Sequence, residues 1–333
     1  TCVQFGIPAT SLRVIADVID HATEIQTFYS QRPTCVPILV AATRAFCHRA
    51  LARLDRQPLS LLSASPTGIV ALHVAMVEEA EPIAAALGMS ARVIAPFSTY
   101  GIRCWVGTSA NGGVPLVMVA HGKDDRLGMS RVSTEIATFV TNVLVRTYGS
   151  RLKCVINCGT AGAMCAPGDP LEIGSVVIAD RVAFFDARGL DSGHLNQHLM
   201  NGTGSFIRTA ESKRTHLRLR LWEEASRALV SRLAKTHGVR AGAVGTGSSF
   251  DSSDADLESL RAMRADVKEM EAASVVWTLN QFDVPAVLVK SVTDFVEHEA
   301  EGADEFAANL LGKARESLTR VVPAVIDTIV GLL

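Results

Sequence analysis

The sequence lacks the features that mark nucleic-acid-binding, membrane-spanning and disulfide-bonded proteins. Its 32 Lys and Arg residues are balanced by 34 Asp and Glu residues, and the net charge of −2 leaves no basic excess for nucleic acid. No apolar run reaches the ~20 residues that a membrane-spanning helix needs. The seven cysteines are scattered and lack zinc-like spacing. We therefore expect reduced thiols and a cytoplasmic protein, with no metal or organic cofactor implied.

What the sequence does contain is enough apolar surface for a large core, since 48% of its 333 residues are hydrophobic. Apolar runs rich in β-branched residues alternate with amphipathic segments, which predicts a three-layer α/β/α fold with a mixed, largely parallel central sheet. The strand at 153–163 is expected to break into a glycine-containing turn, and 188–218 to be a long surface loop near a site. The predicted strands are 68–77, 114–122, 153–163, 173–187, 240–250 and 284–294, and the predicted helices are 78–88, 133–149, 267–282 and 303–333.

The N-terminal segment resembles a later part of the chain, since residues 5–21 align with residues 282–298 without a gap. Phe, Pro, Ala, Asp and His coincide at fixed offsets, which argues against chance similarity between two buried strands. We therefore expect residues 1–55 to be the C-terminal remnant of a preceding, related domain in a tandem. Residues 56–68, with Pro and Ser, would be a linker, and residues 69–333 the main domain.

Four stretches place polar or small residues at the ends of predicted strands, where open α/β sheets bind ligands. Glu79 follows the first strand, residues 159–162 end the third, Glu271 lies in the first turn of an apolar helix, and Asp294 ends the last strand. Each stretch alone has an ordinary structural explanation, such as a helix cap or a tight turn. A carboxylate beside buried surface is costly unless something holds it, and the common placement of these acids predicts a single site.

Five motifs in this order resemble the nucleoside phosphorylase superfamily over residues 69–333, namely AMVEEAEP, INCGTAGA, GTGSSFD, EMEAASV and VPAVLVKSVTDFVE. The branch most similar to them is that of the 5′-methylthioadenosine/S-adenosylhomocysteine nucleosidases, especially those of plants. The resemblance implies a phosphorylase/hydrolase-like fold. It also implies hydrolysis of the N-glycosidic bond of 5′-methylthioadenosine, S-adenosylhomocysteine or both, with release of adenine and with a small nucleoside as the binding partner.

The same resemblance implies a role for each matching residue. Asp294, oriented by Thr293, would protonate or hydrogen-bond purine N7, and Glu79 would take a proton from the attacking water, near Lys290. Glu271 would accept hydrogen bonds from the ribose 2′- and 3′-hydroxyls. The other implied substrate contacts are Met270 at the sugar, Phe250 and Asp251 at the adenine, Ser130 near the water, and Ala161 and Gly162 in the glycine turn.

Two alternatives stay open at this point. A purine or uridine nucleoside phosphorylase must bind phosphate, yet Cys158 and the acids at 78–79 stand where the phosphorylases of the superfamily carry arginines. Arg126, Arg131 or Lys123 could supply a substitute cation. A non-catalytic nucleoside-binding member of the fold is the second alternative, and the survival of all three acids argues against it.

Further expectations concern Glu269, a pair of histidines and the oligomeric state. Glu269 is expected to cap the helix that follows or to face solvent. His194 and His198 are four residues apart but lack a third ligand, so surface histidines are favoured over a metal pair. Because the family is usually homodimeric, we expect a homodimer, or an intramolecular pseudodimer with a preceding domain. The preference between the two substrates is left open.

Overall fold

The computed structural model describes residues 68–111, 113–164, 171–186, 219–296 and 312–333. The expectations for residues 1–67, for the loop at 188–218 and for its two histidines lie outside the described residues. The strands are β1 (Ile69–Val74), β2 (Ser90–Arg92), β3 (Arg103–Thr108), β4 (Pro115–Ala120), β5 (Leu152–Ala163), β6 (Val176–Phe184), β7 (Val239–Thr246), β8 (Val267–Glu269) and β9 (Ala286–Phe295). The helices are α1 (Val77–Ala86), α2 (Ala95–Ser98), α3 (Thr134–Tyr148), α4 (Glu223–His237), α5 (Asp254–Met263), α6 (Ala272–Asn280) and α7 (Lys313–Val330), with a short 3₁₀ turn at Gly149–Arg151.

The nine described strands form one mixed sheet in the order β2-β3-β4-β1-β5-β8-β7-β6-β9. Five pairs are parallel (β1–β4, β1–β5, β5–β9, β6–β7 and β7–β8) and four are antiparallel (β2–β3, β3–β4, β5–β8 and β6–β9). Because β9 pairs with β5 as well as with β6, the strands from β5 to β9 close into a ring. The mixed α/β sheet is as predicted, and the three-layer arrangement stays a prediction.

The two faces of the central strands carry different side chains. Every residue of β1 is buried, as expected for a parallel strand covered on both sides. Alternate residues of β1, β5 and β9 join helices α1, α4 and α7 in one large apolar core. Since side chains alternate along a strand, the residues between them, including His73, Asn157 and Lys290, project from the opposite face. These three polar side chains therefore lie on the face of the central strands that is opposite the large apolar core.

Two predicted elements were wrong where strand pairing overrides the local pattern. Strand β5 does not break into a turn, because β9 and β8 pair with it as far as Ala163. The segment 267–269 is strand rather than helix, since it pairs with both β5 and β7, and the helix begins only at Ala272. Periodicity cannot reveal such pairing, because its partners are distant in sequence.

Elements at the sheet edge were missed. Strands β2 and β3 and helix α2 fall within residues 90–108, which received no prediction. All three residues of β2 are exposed, so it carries no apolar signal. Edge strands of this kind depend on a neighbour rather than on their own composition.

The described part of the chain contains free thiols but no membrane-spanning helix and no metal-binding cluster. Cys104, Cys154 and Cys158 are buried free thiols. None of the described helices combines the length and hydropathy needed to cross a bilayer. Within the same residues, no three His, Cys, Asp or Glu side chains cluster closely enough to hold a metal ion.

Candidate active site

A cavity of about 300 Å³ opens at the carboxyl ends of β1, β5 and β9. This volume is at the lower end of the range for small-molecule sites. The structure brings together there every residue to which the resemblance gives a role. The four implied in catalysis are Glu79, Lys290, Thr293 and Asp294, and the seven implied in substrate binding are Ser130, Ala161, Gly162, Phe250, Asp251, Met270 and Glu271.

Glu79 reaches from the first turn of α1 across to strand β5. Its Oε1 accepts hydrogen bonds from the Thr160 amide at 2.7 Å and the Thr160 hydroxyl at 2.8 Å, and its Oε2 accepts the Met76 amide at 3.2 Å. A Cβ atom on Gly159 would lie 3.2 Å from Oε1, a tight contact, so glycine at this position gives the carboxylate room. Burial raises the pKa of Glu79, and the bonds from Thr160 oppose that rise. The result is a fixed carboxylate at the cavity wall.

Lys290 and Glu269, which both line the cavity, form a buried ion pair. The Lys290 Nζ lies 2.9 Å from Glu269 Oε2, and both side chains are 2% exposed. Glu269 also accepts the amides of Glu271 at 2.9 Å and Ala272 at 2.8 Å, and the hydroxyl of Thr246. Of the two expectations for Glu269, capping of the helix start is therefore correct and exposure to solvent is wrong. The pair holds β9, β8 and the start of α6 together.

Glu271 lies beside this pair and is almost fully buried. Its Oε1 accepts the amide of Ser133 at 3.0 Å, and Ser133 has a φ of 129°, a strained value for a residue with a side chain. Burial and the negative charge of Glu269 raise the pKa of Glu271 to about 8, against the opposing charge of Lys290. The surroundings of Glu271 thus favour the protonated carboxyl more than water does.

The raised pKa of Glu271 predicts a specific dependence of stability on pH. Between its ordinary value of 4.5 and about 8, the folded protein binds more protons at this group than the unfolded chain. The stabilising contribution is thus complete below pH 4.5 and lost as the pH rises through about 8. A Glu271→Gln variant should gain stability relative to the parent over this range, by at most about 1.4 kcal/mol per pH unit, in urea titrations. A constant difference between the two proteins would contradict this.

Asp294 sits at the end of β9 with Thr293 beside it. The Thr293 hydroxyl donates to Asp294 Oδ1 at 2.6 Å. Burial raises the pKa of Asp294, while the bond from Thr293 and the charge of Lys268 lower it. A Cβ on Gly162 would lie 3.0 Å from Asp294 Oδ2, so glycine also makes room for this acid. A carboxyl of raised pKa in a cavity is suited to donating a proton.

The outer wall of the cavity is formed by loops. Phe250 is 51% exposed and lies beside Asp251, and the Nζ of Lys268 donates to the Phe250 carbonyl. On another side, Ser130 donates to Glu78 Oε2 at 3.0 Å, and Lys123 pairs with Glu78 at 2.6 Å. The side chains of Ser130 and Lys123 are thus directed toward Glu78.

No arginine is found among the described residues that line the cavity. The three cations considered as substitutes for a phosphate site, Arg126, Arg131 and Lys123, do not line it. Arg131 is turned toward the backbone carbonyls of Tyr100 and Gly101, at 2.9 and 2.7 Å. The lysines that do line the cavity, Lys268 and Lys290, bond to protein groups.

Sequence reasoning missed residues that support the acids. Thr160 bonds Glu79 from 81 residues away, and nothing local in the sequence signals that contact. Lys268 was also missed. A lysine within the largely apolar segment 267–280 is unusual, and its presence there could have indicated a functional side chain. Asn157, 1% exposed, also lines the cavity and was given no role.

The fold and this cavity together define an α/β protein with a cavity at the carboxyl ends of its strands, and the comparison with known families identifies its superfamily. The phosphorylase superfamily matches residues 69–327, so the chain belongs to that superfamily. This confirms the resemblance carried by the five sequence motifs.

Relatives to which this chain is similar within the superfamily include nucleosidases. A 5′-methylthioadenosine/S-adenosylhomocysteine nucleosidase of Arabidopsis thaliana is 30% identical over 260 residues, which cover 77% of this chain and 91% of the relative. The solved apo structure of the Arabidopsis thaliana 5′-methylthioadenosine nucleosidase has a TM-score of 0.64 at 26% identity, covering 80% of this chain and 97% of that one. A crystal structure of an MTA/SAH nucleosidase has a TM-score of 0.62 at 30% identity, covering 79% and 97%.

Proposed function

We propose that this protein is an enzyme that hydrolyses the N-glycosidic bond of 5′-methylthioadenosine, S-adenosylhomocysteine or both, releasing adenine. The observation that carries the proposal is that Glu79, Glu271 and Asp294, distant in sequence, line a single cavity. The names of the Arabidopsis relatives support the same activity and substrates.

Departure of the base would depend on Asp294. As the bond between ribose C1′ and purine N9 breaks, its electron pair moves to the base, and a proton from Asp294 to N7 lets adenine leave neutral. The raised pKa of Asp294 favours a carboxyl that holds this proton, and Thr293 orients it. Phe250 would lie against the adenine, with backbone groups of Asp251 at its edge.

Attack on the sugar would depend on Glu79. A water molecule forms the new C1′–O bond while one of its protons passes to the Glu79 carboxylate. Lys290 lies near enough to Glu79 for its charge to favour the ionised form. Each positioned proton transfer of this kind is typically worth ~10²–10⁴ in rate.

The sugar would be held by Glu271, with Met270 packed against it. The 2′- and 3′-hydroxyls can donate to the two oxygens of one carboxylate. Such donors favour the ionised form, so substrate binding should lower the pKa of Glu271 from its value in the free protein.

Phosphorolysis is the competing reaction, and the lining of the cavity disfavours it because no arginine is among its described residues. The deciding experiment incubates the protein with 5′-methylthioadenosine, with and without phosphate. Free adenine without phosphate supports hydrolysis, and a strict phosphate requirement supports a phosphorylase. Absence of turnover under both conditions, with binding retained, supports a non-catalytic nucleoside-binding role.

We also propose that the main domain has a three-layer α/β/α arrangement and that the protein is located in the cytoplasm. We propose further that it forms a homodimer, or an intramolecular pseudodimer with a preceding domain. Packing of α3 against α6, away from the core that contains α1, α4 and α7, supports three layers. Buried free thiols are compatible with a reducing compartment. Sedimentation of the full-length product distinguishes the assemblies, since a pseudodimer has the mass of one chain and a homodimer the mass of two.

A further inference from the structure

Three buried polar side chains form a chain of hydrogen bonds on the polar face of the sheet. They are His73 in β1, His121 just after β4 and Asn157 in β5, and each is at most 1% exposed. The Nε2 atoms of the two histidines are 3.4 Å apart, and His73 Nδ1 is 3.2 Å from Asn157 Nδ2. Burial lowers the pKa of His73 well below its usual range and that of His121 to about 4, so both rings are neutral.

Backbone carbonyls at both ends set the direction of this chain. His121 Nδ1 lies 2.7 Å from the Arg131 carbonyl and must donate to it, so His121 Nε2 is an acceptor. His73 then donates from Nε2 and accepts at Nδ1 from Asn157 Nδ2. Asn157 Nδ2 is also 3.1 Å from the His73 carbonyl, which again requires a donor. The amide of Asn157 is thus locked with its oxygen turned away from both histidines.

That oxygen is buried and has no hydrogen-bond partner among the described residues. Asn157 and Gly159 project from the same face of β5, and Gly159 is in register with Lys290 on β9. The Glu79 carboxylate lies over Gly159, where a Cβ would be 3.2 Å from it. Asn157 is therefore one step along the strand from Glu79 and Lys290, and it lines the same cavity.

We propose that Asn157 Oδ1 accepts a hydrogen bond from the water that attacks the sugar, and that His73 and His121 are positioning residues that hold the amide in this orientation. The inference rests on the proposed function, in which Glu79 accepts the first proton of that water. A water molecule has two protons, so a second acceptor is needed to turn its lone pair toward C1′. In the reaction the C1′–O bond forms and the C1′–N9 bond breaks, one water proton passes to Glu79, and Asn157 keeps the other hydrogen bond without taking a proton.

The first test measures kcat and KM for 5′-methylthioadenosine in Asn157→Leu, His73→Leu and the double variant. Because loss of orientation affects the reacting water rather than substrate binding, we expect Asn157→Leu to lower kcat by about tenfold to hundredfold with little change in KM. His73→Leu should have a smaller effect in the same direction. Since His73 acts through Asn157, the double variant should be no slower than Asn157→Leu. The matched control is Asn142→Leu on α3, whose amide bonds Arg146 outside the cavity and whose loss should leave kcat unchanged.

The second test separates orientation of water from a structural role. In water–methanol mixtures, methanol can also attack C1′, giving a methyl glycoside instead of the free sugar. Methanol carries a single O–H proton, which Glu79 accepts, so it has no need of Asn157. The fraction of methyl glycoside should therefore rise in Asn157→Leu, whereas general damage to the fold would slow both reactions and leave their ratio unchanged.

Distinct results would overturn the inference. A kcat for Asn157→Leu within about twofold of the parent would do so, as would a lower kcat with an unchanged product ratio. If Asn157→Leu does not fold, His73→Leu decides by the same ratio. If neither the parent protein nor the variants form methyl glycoside, the double variant decides. A kcat reduced by the product of the two single-variant factors would refute the positioning role of His73. Failure of the parent protein to release adenine would instead refute the proposed function.

Discussion

Replacing Glu79 by Gln is expected to lower kcat for 5′-methylthioadenosine by about 10²–10⁴-fold while leaving substrate affinity nearly unchanged. Glutamine keeps the length of the side chain and an oxygen that can accept the two bonds from Thr160. Its amide nitrogen cannot accept the longer bond from the Met76 amide, but the bonds to β5 should keep the cavity wall in place. It cannot take a proton from water, so only the chemical step loses its base.

The measurements are steady-state release of adenine and, because the variant turns over slowly, direct calorimetric titration with substrate. Glu81→Gln is the matched control, since it makes the same change on an exposed residue of α1. A Glu79→Gln protein with an unaltered rate would refute the assignment of the base. Loss of binding together with rate would instead give Glu79 a role in holding the substrate.

Replacing Asp294 by Asn is expected to slow the release of adenine by a similar factor, about 10²–10⁴. Asparagine still accepts the hydrogen bond from Thr293, but it has no carboxyl proton to give to N7. The purine must then leave with its negative charge unneutralised, which raises the barrier for breaking the C1′–N9 bond.

A substrate with a better leaving group checks the reason for that loss. A nitrophenyl glycoside of the same methylthio sugar leaves as a stabilised anion and needs no protonation at N7. The Asp294→Asn variant should therefore lose much less activity on this substrate than on 5′-methylthioadenosine. Equal losses on both would show that Asp294 does not act as the acid. Asp254→Asn, at an exposed site at the start of α5, serves as the control.

Much of the main domain could be predicted from local pattern. The apolar runs at 114–122 and 284–294 became β4 and β9, and the amphipathic segment 133–149 became α3. The acids at the ends of predicted strands also indicated where a cavity should lie, because parallel strands bring their carboxyl ends to a common edge of the sheet. Such features depend on residues close together in the chain, and composition and spacing report them directly.

The supporting contacts of the site could not be predicted in this way. Glu269 was given two alternatives, and the choice depended on Lys290, 21 residues away on another strand. The orientation of Asn157 depends on His73, 84 residues away. Both contacts arise because a buried polar atom must find a partner, and strand pairing sets which partner is within reach.

The order of apolar and polar residues was therefore sufficient to place most strands and helices, whereas the three acids were singled out by their common placement together with the family resemblance of their motifs. The ring from β5 to β9, the strand character of β8 and the raised pKa of Glu271 arose only on folding. The physical reason is that local propensity acts within a few residues, whereas strand pairing, desolvation and charge coupling depend on which distant residues become neighbours.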